Sequence, residues 1–492
     1  MYEDYRFSPE RRQGRSSLPD TLYYDAPFNL YGVAFSHSSR HTTPRVALTS
    51  FISSSATNRI QIIQANASAS AKDDFRVLTS APHAYPPTKI EFEPVNPITT
   101  TPTHRGKGSS GKSSNGESEL LATTGDLLRI WELQEDWHAG PSSRRIGEGI
   151  HQHAKEQNPW RDDTGRHSMD SIDENQPAWQ LKERSKLSNS KSPASKLPPL
   201  TSFSWNSFSP SSLITSSIDT TCTIWDISTS TALTQLIAHD RSVYDVSFLP
   251  MSKDVFLSVG ADGSLRAFDL RALEHSTILY ETPSAKAPSP PNASASNHPR
   301  HQATDSSASA IPTKPLARIS FSQKEQHYLA IFGFGDTAAS ILDMRNPGVP
   351  VAELIGHQKG LSAVGWGCES RASHGGGGWV ATCGDDSQLL LYDLTSSLPY
   401  PTSAVSSTNS SPAPNAKSSS TGQSSSQAVK HTETLGVTPT GSPAAMPTVR
   451  KQPHMAWTAN NGEINNLAWG RDAEEGAWIG AVSSKRLTCL RF

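Results

Sequence analysis

Long apolar runs are what this 492-residue chain most clearly lacks. No stretch approaches the roughly 20 residues that a membrane-spanning helix requires. The opening MYEDYRFSPERRQGR has no apolar region of a secretory signal. Cysteine is scarce, and the four present (Cys222, Cys368, Cys383 and Cys489) lack close metal-ligand spacing. The expectation is a reduced protein with buried free thiols rather than a disulfide scaffold or a zinc module. An excess of one charge sign is missing too: 44 basic and 46 acidic residues leave a net charge of −2. That gives no overall electrostatic footprint for nucleic acid. Hydrophobic residues make up only 35%, too few for a packed core throughout, so a large part of the chain is expected to be unstructured.

What the chain does have is repetition. Seven aromatics, Phe35, Phe92, Trp205, Phe248, Phe321, Trp366 and Trp469, each follow an apolar residue by two positions: Val33, Ile90, Phe203, Val246, Ile319, Val364 and Leu467. Between the two stands Ala34, Glu91, Ser204, Ser247, Ser320, Gly365 or Ala468, small in six of the seven. This alternation is the period of a strand with one apolar and one small face. Recurrence at this spacing indicates a propeller or a solenoid.

The downstream pattern distinguishes the two. LITSSIDTTCTIWDI, FLSVGADGSLRAFDL and VATCGDDSQLLLYDL each read strand, turn, strand. An Asp (Asp219, Asp262, Asp386) precedes an aromatic-Asp pair by six residues: Trp225-Asp226, Phe268-Asp269 and Tyr392-Asp393. His239 and His357 come before the first strand of repeats four and six. These pieces resemble the WD repeat, whose blade is a four-stranded antiparallel sheet. The resemblance implies a buried hydrogen-bond chain of His, strand hydroxyl, turn Asp and Trp. Matching positions are His239, Ser258 and Asp262 in one repeat and His357, Thr382 and Asp386 in another, while Asp219 and Trp225 match in the third. With Phe268 and Tyr392 in place of Trp, the chain is expected to lose or change its last donor. A His, a hydroxyl and an Asp also suggest a catalytic triad, but a set that recurs from blade to blade is the mark of a structural role. No catalytic, metal-binding or cofactor-binding residues are expected, and the chain is expected not to be an enzyme.

The expected architecture is therefore all-β: a seven-bladed propeller over 21–492, after a disordered stretch at 1–20. Segments 97–118, 134–177, 282–312 and 396–452, rich in Ser, Thr, Pro, Asn and Ala, are expected to be disordered insertions. Without them roughly 320 residues remain, about 45 per repeat, as seven blades require. Thr21–Tyr24 is expected to pair with Leu487–Phe492 as the missing fourth strand of blade seven, which closes the ring and removes an open edge. In a WD propeller, loops joining first to second and third to fourth strands share the bottom face. That assigns 65–74, 97–118, 134–177, 369–378 and 396–452 to the bottom and 282–312 alone to the top. The top and outer rim are thus expected to be kept clear for partners.

Gly106-Lys107-Gly108-Ser109-Ser110-Gly111-Lys112-Ser113 fits the phosphate-loop pattern in every position. Such a loop needs a strand before it and a helix after it, and the flanking TTTPTH and SNGE provide neither. Ser-Pro and Thr-Pro pairs at Ser192, Ser289, Ser411, Thr438 and Ser442 would let a proline-directed kinase add charge without disturbing the blades; in such a composition they also arise by chance.

The stretches SSIDTTCTIWD, QLIAHDRSVYDVSF, SVGADGSLRAFDLRALEHSTILYE, YPPTKIEF and GEINNLAWG resemble one family in particular. It is the WD-repeat adaptor family of plant Transparent Testa Glabra and animal anthocyanin-eleven homologues, the latter described as cullin-4-associated factors. The resemblance extends over all seven blades, and the long insertions depart from it. It implies a non-catalytic, monomeric scaffold in nucleus and cytoplasm that assembles protein complexes. The implied partners are dual-specificity or homeodomain-interacting kinases, or transcription regulators, with no nucleic acid or membrane bound directly. The alternative it implies is a substrate receptor of a cullin-4 ubiquitin ligase. Such receptors often end a repeat with Trp-Asp-x-Arg, and Phe268-Asp269-Leu270-Arg271 and Leu342-Asp343-Met344-Arg345 are degenerate copies. Each Arg either reaches the ligase adaptor or caps its blade in an ion pair. For other partners, the position four before each aromatic gives a ring at the top of the inner strands: Tyr31, Thr88, Thr201, Tyr244, Ala317, Ser362 and Asn465. Tyr31 and Tyr244 rank first, because binding hot spots favour Tyr, unless both simply pack in the channel mouth.

Overall fold

Each of the seven aromatics stands at or near the end of a six- or four-residue inner strand, from Leu30–Phe35 in blade one to Asn466–Arg471 in blade seven. In the computed structural model these strands begin seven antiparallel sheets, the blades of a propeller. The structure describes residues 20–38, 42–53, 57–67, 72–95, 118–136, 178–188, 196–283, 313–323, 325–367, 378–395, 398, 448–471 and 477–492. The phosphate-loop pattern, the five Ser-Pro and Thr-Pro sites, Cys368 and most of the four expected insertions lie outside those residues.

Alternation in the sequence becomes packing between blades. Phe35, Phe92, Trp205, Phe248, Phe321 and Trp366 are all buried, with Trp469 packed partly exposed against its neighbours. At Ser204, Ser320 and Gly365 the residue before the aromatic is small because the next blade lies against it. Ser204 Oγ accepts the backbone N–H of Phe248 in the next blade at 3.0 Å, and Ser320 Oγ accepts that of Trp366 at 2.9 Å. At Gly365 a Cβ would stand 2.6 Å from Leu467 of blade seven. Each apolar cluster spans two blades, so no blade buries its own faces alone.

The ring closes through the segment before the first repeat. Thr21–Asp25 pairs antiparallel with Arg486–Arg491, in register from Thr21 opposite Leu490 to Asp25 opposite Arg486. Leu22 points inward and is 1% exposed among Leu30, Phe35, Trp478 and Cys489, whereas Tyr23 points outward. Arg486 holds the end of this strand with two 2.7 Å bonds to the Asp25 carboxylate. Blade seven otherwise meets blade one across glycines: a Cβ at Gly470 would lie 2.5 Å from the Phe35 ring.

Strand connectivity puts the feet of the expected bottom segments where the sequence assigns them, between first and second or third and fourth strands. Their boundaries need correction. The third strand of blade two runs on to Asp136 and the second begins at Ser118, inside the segments expected to be irregular. Thr282 is buried, its hydroxyl donating to the Lys314 carbonyl at 3.0 Å. Most notably, Val449–Lys451, inside 396–452, forms a strand. It pairs parallel with Ala352–Leu354, the outermost strand of blade five, which thereby has five strands. Three apolar or basic residues amid Ser and Pro give no periodic signal, so only the exposed edge of blade five reveals the pairing.

Candidate functional site

The His-hydroxyl-Asp sets form as hydrogen-bond chains within the blades. His239 Nε2 lies 2.8 Å from Ser258 Oγ, and Nδ1 lies 3.0 Å from both Asp262 oxygens. In blade six, His357 Nε2 is 2.8 Å from Thr382 Oγ1 and Nδ1 is 2.9 Å from Asp386. Burial alone would raise the Asp262 carboxyl, but hydrogen bonds from His239 and Ser264 hold it well below the usual range. Asp386 is lowered in the same way against its burial, by the Gln358 amide and His357. Phe268 leaves blade four without a last donor, whereas the Tyr392 hydroxyl turns to the Ile355 carbonyl at 3.1 Å. In blade three, Trp225 Nε1 donates to Thr215 Oγ1 at 2.9 Å, and Asp219 folds back on Thr221 instead of meeting a His. The Ser258, Thr382 and Thr215 hydroxyls are buried within their blades and engaged in these hydrogen bonds.

Blade two holds a chain that sequence reasoning missed. His83 Nε2 is 3.1 Å from Thr123 Oγ1, which also accepts Trp131 Nε1–H at 2.9 Å. Here Asp126 grips Arg129 through both oxygens. Thr123 and Trp131 are two residues closer in the chain than Thr215 and Trp225, Asp126 precedes Trp131 by five residues, and Glu132 follows it, so the six-residue Asp spacing fails.

At the top, the ring divides into two kinds of residue. The Thr88 hydroxyl donates to the Leu200 carbonyl at 3.0 Å, Thr201 to Val243 at 2.7 Å, and Asn465 Nδ2 to Leu30 at 3.2 Å. Each acceptor directly precedes the ring residue of the next blade, so these three side chains join blade to blade. Ala317 is buried. Tyr31, Tyr244 and Ser362 remain half-exposed at the mouth. Ser362 bonds Asp385, an exposed carboxylate, at 3.1 Å. Tyr31 packs 4.9 Å from Phe51, and Tyr244 packs edge-on 5.0 Å from Phe334. Those two phenylalanines are 43% and 54% exposed, so each Tyr supports an open aromatic edge at the rim.

One residue further down the strands lies a charged layer that the repeat alignment passed over. Arg318 of blade five reaches the Tyr31 hydroxyl of blade one at 3.3 Å, a bond that crosses the channel because blades six and seven intervene. Asp245 is buried and accepts Ser202 Oγ at 2.6 Å and the Ile319 N–H at 2.9 Å, which links blades three, four and five. Burial beside the channel would lower the Lys89 ammonium, but the carboxylates of Glu91 and Asp245 outweigh it and hold it raised. Among the described residues no cluster of His, Cys, Asp and Glu could hold a metal ion. Cys222, Cys383 and Cys489 are free and buried, and burial pushes each thiol up, away from reactivity.

Arg271 and Arg345 occupy equivalent positions on the bottom face of adjacent blades. In each, the Asp two residues earlier caps the backbone N–H (3.0 and 2.9 Å) and binds Nε at 2.9 Å. Asp226 and Asp393 cap Ser228 and Thr395 identically in blades three and six, so the Asp serves the turn wherever it occurs. The Arg is the variable element. Its guanidinium draws the Asp269 carboxyl down to about 2. Arg271 stays 71% exposed, while Arg345 is more sheltered against the Tyr328 ring at 5.5 Å.

Comparison with known proteins agrees with this geometry. A family model described as WD domain, G-beta repeat, matches residues 348–393. The chain is 37% identical over 379 residues to a protein of Dictyostelium discoideum named "DDB1- and CUL4-associated factor 7 homolog", covering 77% of this chain and 85% of that one. It is 32% identical over 389 residues to an uncharacterised WD repeat-containing protein of Schizosaccharomyces pombe, covering 78% and 70%. A WD repeat-containing protein of Saccharomyces cerevisiae is 30% identical over 480 residues, covering 96% and 77%.

Proposed function

The chain belongs to the WD-repeat family that includes the DDB1- and CUL4-associated factor 7 homologue, and from that premise we propose that it is a non-catalytic adaptor assembling protein complexes. The observation that carries this reading is the division of its polar groups. The His-hydroxyl-Asp chains and much of the top ring are engaged inside or between blades, as a rigid platform needs. Among the described residues, the groups left available include an aromatic rim above and two guanidinium groups below.

Two attachments follow. The bottom pair Arg271 and Arg345 contacts the adaptor of a cullin-4 ligase, each guanidinium pre-oriented by its Asp so that little side-chain freedom is lost on binding. The top rim, anchored by Tyr31 and Tyr244, takes the second partner, a kinase or a transcription regulator, in nucleus or cytoplasm. Affinity purification with mass spectrometry tests this on wild type and Arg271→Ala/Arg345→Ala chains. Loss of cullin and its adaptor from the variant, with kinases or transcription regulators retained, supports a ligase receptor. Kinases or transcription regulators recovered equally from both, without cullin from either, leave a scaffold alone.

A further inference from the structure

Among the described residues, only blade five carries a fifth strand on its outer edge. Its fourth strand, Ala352–Leu354, is three residues long and already buries Ala352 and Leu354 inside the propeller. The covering strand adds little to that core: Val449 is 39% exposed and the Arg450 side chain 73%. It is also the single parallel pairing among the described strands. What holds it is main chain and a few polar contacts. Val449 N–H donates to the Val351 carbonyl at 3.2 Å, and Ile355 N–H donates to Lys451 at 3.0 Å. Thr448 Oγ1 donates to the Pro350 carbonyl at 2.9 Å, and Arg450 Nε lies 3.2 Å from Glu353. Beyond the strand, the Pro453 ring packs over Gly356, where a Cβ would stand 3.3 Å from it.

We propose that the outer edge of blade five is a docking site for an extended basic peptide, occupied in cis by Thr448–Pro453. The seated segment reads out the preference of the site: a hydroxyl for the Pro350 carbonyl, an aliphatic residue, a base opposite Glu353, and a proline over Gly356. Main-chain pairing to a sheet edge provides the attachment and the alternate side chains its specificity. An edge held by so short a ladder and an exposed ion pair opens locally far more often than the ring unfolds. The covalent link to the fourth strand of blade six, Met455–Thr458, keeps the segment at high local concentration and returns it. A partner that supplies the same chemistry on a longer strand displaces it. This inference is independent of the adaptor reading.

Binding of a labelled peptide by the full-length chain tests the site. The probe is a fluorescent synthetic Thr448–Pro453 peptide, and the controls are a scrambled peptide and one with Glu in place of Arg450. In one form of the protein the strap is intact; in the other Val449→Pro and Arg450→Glu remove its N–H donor and reverse its charge against Glu353. By fluorescence anisotropy the opened form should bind the probe at least tenfold more tightly than either control, and the intact form much less tightly. Equal binding of probe and controls, or by both forms, overturns the proposal. Hydrogen exchange on the unaltered chain guards against a misfolded variant. The Val449 and Ile355 amides should exchange together and orders of magnitude faster than the second strand of blade five, Tyr328–Gly333. Exchange as slow as that strand shows an edge that never opens, and the proposal fails.

Discussion

Leu22→Ala attacks ring closure at a single side chain. Leu22 is 1% exposed and packs with residues of both blade one and blade seven, so truncation leaves a cavity at the seam. Leu-to-Ala changes at such sites cost about 2–5 kcal/mol, out of a total stability of about 5–15 kcal/mol. Tyr23, its neighbour, is 47% exposed and faces solvent near Arg486. Its replacement by Ala should cost under about 1 kcal/mol, the range of surface changes. Urea denaturation of the full chain, followed by tryptophan fluorescence, should therefore place the Leu22→Ala midpoint lower by on the order of 1 M, with Tyr23→Ala near wild type. Removing residues 1–25 should do more, because it also uncovers Arg486–Arg491 as a bare edge. Coincident midpoints for Leu22→Ala and Tyr23→Ala, or an unchanged midpoint for the truncated chain, would show that this strand does not hold the ring closed.

Other expectations follow from the same contacts. Burial holds His83 neutral in the fold, its imidazole lowered to about 4, while the unfolded chain takes up a proton below about 6.5. The unfolded state then binds more protons between those values, so stability falls as pH drops from 6.5 to 4, by on the order of 3 kcal/mol; His83→Gln should flatten that slope in pH-dependent urea titrations. Trp131→Phe deletes the Nε1–H donor to Thr123 Oγ1 and should cost about 1–2 kcal/mol by thermal or urea melting. Asp245→Asn turns two acceptor oxygens toward Ser202 and Ile319 donors into one, and should cost at least about 2 kcal/mol. Arg271→Ala should melt within about 0.5 kcal/mol of wild type, whereas Arg345→Ala leaves the buried Asp343 carboxylate without its guanidinium and should cost about 1–3 kcal/mol. A partner lost from the Arg271→Ala chain alone therefore reports contact rather than unfolding.

Much of the fold is legible because its signal is local. A strand that buries one face must alternate, and seven alternating strands ending in aromatics require seven blades. The sequence also carries the closing strand, since blade seven has three strands and an unclaimed one precedes the first repeat. Other features depend on neighbours tens of residues away, and only the closed ring sets them. Whether Thr88, Thr201 and Asn465 face a partner or the next blade depends on where Leu200, Val243 and Leu30 carbonyls come to rest. The channel bond from Arg318 to Tyr31 joins residues 287 apart in the chain. The covering strand of blade five has no periodicity to announce it, because three residues are too few to show alternation and their partners lie about 100 residues earlier in the chain.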